Sequence, residues 1–177
     1  MKFVYDDGGR KAAGYNGSAG DCVVRAVAIA TEQPYKVVYD ALSEGCRTQR
    51  LTKRSKPKGS ARDGVNVRRK WFRDYMQSLG WKWTPTMHIG SGCTVHLTDG
   101  ELPMGRLIAV ISKHYTAVLD GVVHDTHDPQ REIHSSRLIK PDEPIKPYEF
   151  THDHKWAHSI QRRCVYGYWS RSSIRSQ

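Results

Sequence analysis

The stretch that most constrains the fold is HYTAVLDGVVHDT, which covers residues 114–126. Apolar and polar residues alternate on both sides of Asp120-Gly121, a dipeptide that favours the two-residue turn of a β-hairpin. The run LIAVIS at residues 107–112 is continuously apolar, which indicates a strand buried on both faces. The second half of the chain is therefore predicted to form antiparallel strands around this hairpin.

A two-residue turn also determines which side chains share a face of the sheet. The facing pairs are then Leu119–Val122, Ala117–His124, Thr116–Asp125 and His114–His127. Because positions two apart on a strand share a face, Asp125 lies diagonal to His114 on the same side of the sheet. Asp128 falls on the opposite side unless the strand bends.

The N-terminal half of the chain has helical periodicity. A first helix is predicted to begin after Asp21, its N-cap. Its apolar face consists of Val23, Val24, Val27, Ala28 and Thr31. A second helix is predicted from Pro34 to Gly45, and a third from about Val65 to Gly80.

The remaining segments complete the predicted architecture. Residues 1–20 are expected to form an extended entry segment, residues 130–160 to be irregular, and residues 163–169 to form a closing strand. Helices followed by strands predict an α+β fold, in which the N-terminal helices pack on a C-terminal antiparallel β-sheet. At 177 residues, the chain is expected to form one domain.

Positive charge is concentrated in two segments of a chain whose formal net charge is +10. Ten Lys or Arg residues and one acid occur between residues 47 and 70, so we expect a mobile basic loop at about 47–63 and a basic tail at about 170–177. Such blocks suit a polyanion such as nucleic acid, or they keep a solvated loop soluble. The candidate polyanion-binding residues are Arg47, Arg50, Lys53, Arg54, Lys56, Lys58, Arg68, Arg69 and Lys70.

The N-terminus lacks the apolar stretch of a signal peptide, and no apolar run reaches the roughly 18 residues that a membrane span needs. The four cysteines lack CxxC spacing, so we expect thiols rather than disulfides, with Cys46, Cys93 and Cys164 as packing residues. These features favour a cytoplasmic protein that does not insert into membranes. The histidines and cysteines do not form two ligand pairs at zinc-site spacing, so we expect no metal and no cofactor.

The segment YNGSAGDCVVRAVAIAT, residues 15–31, places Cys22 at the start of the first predicted helix. The dipole and the free N–H groups of a helix N-terminus stabilise a thiolate, which is the nucleophilic form of cysteine. A nearby imidazolium strengthens this effect, and the candidate is His114, at the start of the first hairpin strand. Asp125, or Asp128 in reserve, is predicted to orient His114 by accepting a hydrogen bond from its Nδ1.

Asn16 stands six residues before Cys22. Acyl transfer needs a hydrogen-bond donor for the developing oxyanion, in addition to the backbone N–H of the nucleophile. The Gly- and Ser-rich loop between the two residues would fold the Asn16 amide back beside the thiol. Asn16 is therefore the predicted oxyanion donor.

This arrangement resembles papain-like cysteine peptidases, and among them the bacteriocin-processing peptidases of ABC transporters. In that family an amide residue stands six before the catalytic Cys, the His follows late at a strand start, and an Asp or Asn lies on the neighbouring strand. The resemblance implies a papain-like fold with a catalytic set of Cys22, His114, Asp125 (or Asp128) and Asn16. The chain departs from the family in having Asn where Gln is usual, and Val after the Cys.

The stretches GDCVVRAVAIA, KHYTAVLDGVVHDTHDP and RCVYGYW also resemble uncharacterised small proteins of tailed bacteriophages. This resemblance implies a phage-encoded cysteine hydrolase that cleaves a peptide, isopeptide or amide bond in the host cytoplasm, on a protein or peptide substrate of acidic character. One alternative is an inert papain-like binding module, a virion component or an inhibitor of a host factor, which uses the basic loop to bind nucleic acid. Another is an acyl or amide transferase of the transglutaminase type.

Overall fold

The computed structural model describes residues 1–50, 59–140, 143–146, 149–152 and 155–171. In this part of the chain, helices and strands form the predicted α+β fold. The α-helices are α1 (Cys22–Thr31), α2 (Tyr35–Thr48) and α3 (Lys70–Ser78). The strands are β1 (Lys2–Tyr5), β2 (Trp81–Pro85), β3 (Arg106–Ile111), β4 (His114–Leu119), β5 (Val122–Asp125), β6 (Glu132–Leu138), β7 (Glu149–Phe150), β8 (Trp156–Arg162) and β9 (Val165–Arg171).

Six strands form the large sheet, in the order β1-β5-β4-β3-β9-β2. The prediction of a purely antiparallel, C-terminal sheet was wrong, because the N-terminal strand β1 pairs with β5 in parallel. The other neighbouring strands pair antiparallel. Without β1, the strand β5 would present an unpaired edge of backbone groups, so the predicted entry segment completes the sheet.

The hairpin between β4 and β5 has the predicted register. Its facing pairs are Ala117–His124, Val118–Val123 and Leu119–Val122. Asp120 and Gly121 have φ angles of 47° and 77°, the left-handed conformation that this two-residue turn requires. The sequence signal for the turn therefore fixed the relative positions of the polar residues on both strands.

The helix α1 packs against β4, and every residue from Val23 to Ala30 is buried. The predicted apolar stripe is thus part of a helix that is enclosed on all sides. Phe72 of α3 extends the same core and meets Tyr115 and Trp169 edge to face, at ring-centroid distances of 6.3 and 6.1 Å. This burial fixes the position of the N-terminus of α1 relative to the sheet.

Gly45 lies inside α2, although the sequence predicted that it ends the helix. A Cβ atom at this position would lie 2.3 Å from Cε3 of Trp71. Glycine is therefore needed for the close approach of the indole of α3 rather than for a helix stop. Trp71 could not be assigned to this contact from the sequence, because the contact joins two separate helices.

The predicted basic loop is ordered at both ends. The helix α2 continues to Thr48, and a short 3-10 helix spans Ala61–Asp63. The N–H of the fully buried Ala61 donates to Ser43 Oγ at 3.0 Å, which attaches this segment to α2. Residues 51–58, the middle of the predicted loop, lie outside the described residues, as do residues 172–177 of the predicted tail.

The third helix begins later than predicted, at Lys70 instead of about Val65. A hydrogen bond from the N–H of Arg69 to the carbonyl of Asn66, at 3.1 Å, closes a turn before the helix. Val67, which was assigned to the helix, packs against the core from this turn.

The region from residue 130 to 160 was predicted to be irregular, and this was wrong. Here β6, β8 and β7 form a second, antiparallel sheet. Its strands lack a regular alternation of apolar and polar residues. Their buried residues are Ala157 and Ser159, both on β8. Arg137 of β6 forms ion pairs with Glu143 at 2.9 Å and with Glu149 of β7 at 2.8 Å.

The prediction of four free thiols was also wrong, because Cys93 and Cys164 form a disulfide. The two residues are 71 positions apart in sequence, and the chain before Leu97 runs beside the start of β9. Val95 and Leu97 exchange backbone hydrogen bonds with Val165 and Arg163 there. Cys22 and the buried Cys46 are not part of a disulfide. The cysteine pattern therefore no longer supports a reducing compartment, since disulfides are uncommon in the cytosol.

Within the described residues, none of the helices has the length and apolar character that crossing a membrane requires.

The close contact at Gly45 predicts an unusual effect of an alanine substitution. Gly45→Ala should lower the free energy of unfolding by about 1–3 kcal/mol, because the new methyl group displaces the Trp71 indole. Helix propensity alone predicts the opposite, a gain of about 1 kcal/mol. Urea unfolding measures the difference, with Val37→Ala on the exposed side of α2 as the control, which should change it by less than about 0.5 kcal/mol. A stabilised Gly45→Ala protein would contradict the packing described here.

Candidate active site

Cys22 is the first residue of α1, as predicted, and its side chain is partly buried. Asp21 occupies the N-cap position, but its carboxylate makes no capping hydrogen bond. It instead accepts hydrogen bonds from Arg25, Tyr35 and Arg10, the last through Nε at 2.9 Å. Asp21 is therefore the N-cap residue, as predicted, but its carboxylate binds these three side-chain donors instead of the N–H groups of the first turn.

His114 is the first residue of β4, and the core packing of α1 against β4 brings it to Cys22. The thiol of Cys22 and the imidazole interact, since His114 lowers the pKa of the thiol and Cys22 raises the pKa of the ring. The other side of the ring meets Asp125, with 2.6 Å between Nε2 and Oδ2. Asp125 therefore contacts Nε2, and not Nδ1 as predicted, which leaves Nδ1 as the ring nitrogen available to the thiol.

The surroundings lower the pKa of Cys22 and raise the pKa of His114. Burial raises the pKa of Cys22, but His114, the backbone N–H of Tyr115 and the charge of Arg25 together bring it below its ordinary value. Burial lowers the pKa of His114, but its hydrogen bonds with Asp125 and Cys22 raise it to about 9. The arrangement therefore favours a thiolate beside an imidazolium.

Asp125 is almost fully buried, and its contacts keep it ionised. Burial raises its pKa, but the hydrogen bond and charge of His114 and the N–H of Thr126 bring the pKa below the usual range. Thr126 donates to Oδ1 at 2.7 Å. Arg25 Nη2 lies 3.9 Å from the same oxygen. Asp128, the predicted reserve, is exposed and accepts hydrogen bonds from Gln130 instead.

Arg25 was not predicted as a site residue. It lies one helical turn after Asp21. Its guanidinium pairs with the carboxylate of Asp21 and also approaches the carboxylate of Asp125. Its side chain is about nine-tenths buried. The i,i+4 spacing of Asp21 and Arg25 was visible in the sequence, but the contact with Asp125 depends on how α1 docks on the sheet.

Asn16 lies outside the immediate contacts of this group. It is exposed and lines a cavity of about 390 Å³ beside the site. Within the described residues, its hydrogen bond is through the main-chain carbonyl, which accepts from Arg10 Nη2 at 3.2 Å. Its role as oxyanion donor stays a prediction.

His127 lies against His114, as the hairpin register predicted, with 4.9 Å between the ring centroids. Among the described residues, His114, Asp125 and His127 can each offer one metal-ligand atom, and these atoms lie within 4.8 Å of one another. The sequence assigned no role to His127. The expectation of no metal rested on ligand spacing along the chain and stays a prediction.

The predicted polyanion-binding segment is described only in part, since the structure leaves out Lys53, Arg54, Lys56 and Lys58. Arg47 forms an ion pair with Glu44 at 2.6 Å. Lys70 forms another with Asp74 at 2.7 Å. Polyanion binding by this segment, with its remaining members Arg50, Arg68 and Arg69, stays a prediction.

No protein-family model and no solved structure matches the chain. Over 92 residues, the chain is 30% identical to acetylornithine deacetylases from three strains of Vibrio cholerae serotype O1. The similarity covers 46% of this chain and 23% of each relative. The chain thus spans less than a quarter of the length of these curated relatives, and the similarity is a partial one.

The paired pKa shifts predict how Cys22 reacts with iodoacetamide as the pH changes. Alkylation of Cys22 should already be rapid near neutral pH, because His114 stabilises the thiolate. In His114→Ala, the midpoint of the pH dependence of Cys22 alkylation should move to or above about 8.5. Burial then raises the pKa of the thiol without the opposing effect of the imidazolium. Peptide mass spectrometry after alkylation at each pH measures both midpoints, with the buried Cys46 as the internal control. Equal midpoints in the two proteins would contradict the pairing.

The contact of Asp125 with Nε2 predicts a second effect, with a matched control on the same segment. Asp125→Asn should lower the pKa of His114 and slow Cys22 alkylation at neutral pH by about 10- to 100-fold. Asp128→Asn should leave both unchanged, because that carboxylate contacts Gln130 instead. Histidine NMR titration and alkylation rates give the two readouts. Equal effects of the two substitutions would contradict the assignment of Asp125.

Proposed function

We propose that the protein is a papain-like cysteine hydrolase that cleaves a peptide, isopeptide or amide bond. The observation that carries this proposal is the arrangement of three residues. Cys22 begins α1, His114 begins β4, and Asp125 lies 2.6 Å from the imidazole of His114. A nucleophile beside a base that a third group orients is the arrangement that activates thiols for acyl transfer.

The reaction begins with the thiolate of Cys22 and the imidazolium of His114. The sulfur attacks the carbonyl carbon, and a C–S bond forms while an electron pair moves to the oxygen. His114 Nδ1 then gives its proton to the leaving nitrogen, and the C–N bond breaks to release the amine. The acyl group stays on Cys22 as a thioester.

Hydrolysis of the thioester regenerates the site. His114 Nδ1 removes a proton from water, whose oxygen attacks the thioester carbonyl. The C–S bond then breaks, the acid leaves, and the thiolate again faces the imidazolium. Asp125 holds the ring on its Nε2 side throughout, so that Nδ1 points towards the reacting atoms.

The oxyanion of each step needs hydrogen-bond donors. The backbone N–H of Cys22 is available, because the first N–H groups of an α-helix have no acceptor within the helix. The amide of Asn16 is the proposed second donor, and its position on the neighbouring cavity requires the loop of residues 16–20 to close towards the thiol.

The partial similarity to deacetylases supports hydrolase chemistry in general terms. Support for papain-like chemistry comes from the helix-start cysteine, the strand-start histidine and the order of the three residues. The host-cell setting and the protein or peptide substrate rest on the resemblances described from the sequence. The transferase alternative uses the same residues and differs in whether an amine or water takes the acyl group.

A diverse mixture of synthetic peptides, read by mass spectrometry, tests the proposal. The protein should cleave at least one peptide, and Cys22→Ala should reduce that cleavage by at least about 100-fold, because no thiolate remains to form the thioester. Cys46→Ala, which removes the other cysteine outside the disulfide, is the matched control and should keep the activity. Addition of EDTA should have no effect.

Several results would contradict the proposal. They are cleavage by Cys22→Ala, loss of cleavage in EDTA, or no cleavage by any of the proteins. A labelled amine in the same mixture separates the alternatives, since its incorporation into peptides would indicate a transferase.

A further inference from the structure

The cavity of about 390 Å³ adjoins the side of the site where Asp125 lies. We propose that it binds a carboxylate group of the substrate, so that the enzyme prefers peptides with an acidic residue near the bond it cleaves. This inference rests on the proposed hydrolase function. The walls of the cavity come from residues 5–19, from Arg25 of α1 and from Thr126 and His127, which follow β5.

Three contacts join the cavity to the proposed catalytic residues. The N–H of Thr126 donates to Asp125, and His127 lies against the ring of His114. Arg25, on the cavity wall, approaches the carboxylate of Asp125 at 3.9 Å. A group bound in the cavity would therefore lie within a few residues of an amide bond positioned at Cys22.

The lining of the cavity carries more cations than carboxylates. It contains three permanent cations, Arg10, Lys11 and Arg25, and one carboxylate, Asp7. That carboxylate already accepts two backbone hydrogen bonds at 2.9 Å, from the N–H groups of Gly9 and Lys11. These hydrogen bonds spread its negative charge into the surrounding turn.

The cations differ in how strongly they are already paired. Arg10 and Arg25 share the fully buried Asp21, which lies outside the cavity lining. Within the described residues, the ammonium group of Lys11 has no carboxylate at ion-pair distance, and Lys11 is exposed at the cavity. Lys11 is therefore the cation most available to form an ion pair with a bound carboxylate.

The neutral part of the lining suits the rest of an acidic residue. Tyr5 and Tyr15 offer aromatic surface for methylene groups, while Ser18 and Asn16 offer hydrogen-bond donors. A small number of polar groups on a partly apolar wall is typical of a ligand cavity. Because the proposed reaction acts on peptide-like substrates, the anion is a carboxylate of Asp, Glu or a chain end.

A binding experiment on Cys22→Ala tests this inference without any need for catalysis. N-acetyl-glutamate amide and its neutral isostere N-acetyl-glutamine amide are titrated into labelled protein, and the backbone NMR signals of Lys11, Gly17 and Thr126 are followed. We expect saturable shifts with the glutamate compound, and at least about threefold weaker binding of the glutamine compound, since one charge-assisted contact is lost.

Two charge-reversing variants make the test specific. Lys11→Glu should abolish the preference for glutamate, whereas Lys2→Glu makes the same change of net charge on a strand residue outside the cavity and should keep the preference. Equal binding of the two compounds, shifts elsewhere on the protein, or a preference that survives in Lys11→Glu would overturn the inference. If the peptide mixture meanwhile shows Cys22-dependent cleavage, the carboxylate site alone fails and the hydrolase proposal stands.

Discussion

The buried guanidinium of Arg25 is the contact on which the geometry of the site depends. It pairs with Asp21 at the start of α1 and approaches Asp125 at the end of β5, so one side chain links the helix that carries Cys22 to the acid that holds His114. Removing one partner from a buried ion pair costs about 3–5 kcal/mol, because the remaining charge is left uncompensated. Asp21 is further held by Arg10 and Tyr35. Together with the burial of α1 against β4, these contacts hold the helix and the sheet in one relative position.

The hairpin and the helix start could be predicted from the sequence because both depend on local signals. Asp120-Gly121 determines the turn, and a two-residue turn leaves one register, which placed Asp125 beside His114 and His127 opposite it. The ring nitrogen that meets Asp125 could not be predicted in the same way. It depends on the rotation of the imidazole between α1 and the sheet, which is decided by packing.

Other features depend on contacts between distant parts of the chain, and the sequence carried no clear sign of them. The disulfide joins residues 71 positions apart, and β1 pairs with a strand more than a hundred residues later. Gly45 resembles a helix-end residue in the sequence, but the structure shows that glycine is needed there because the indole of Trp71 leaves no room for a Cβ atom. The second sheet lacks apolar alternation because little of it is buried. The cavity beside the site likewise forms from three separate segments, so its charge could not be seen in any one of them.

The central claim is that Cys22 and His114 form a thiolate–imidazolium pair that Asp125 orients. The most direct measurement is the NMR titration of the ring nitrogens of His114, in the native protein and in Cys22→Ser. We expect an imidazolium that persists through neutral pH and titrates at about 9, with a clearly lower pKa in Cys22→Ser because the thiolate no longer stabilises the cation. A ring that titrates near its ordinary value of about 6.5 in both proteins would contradict it.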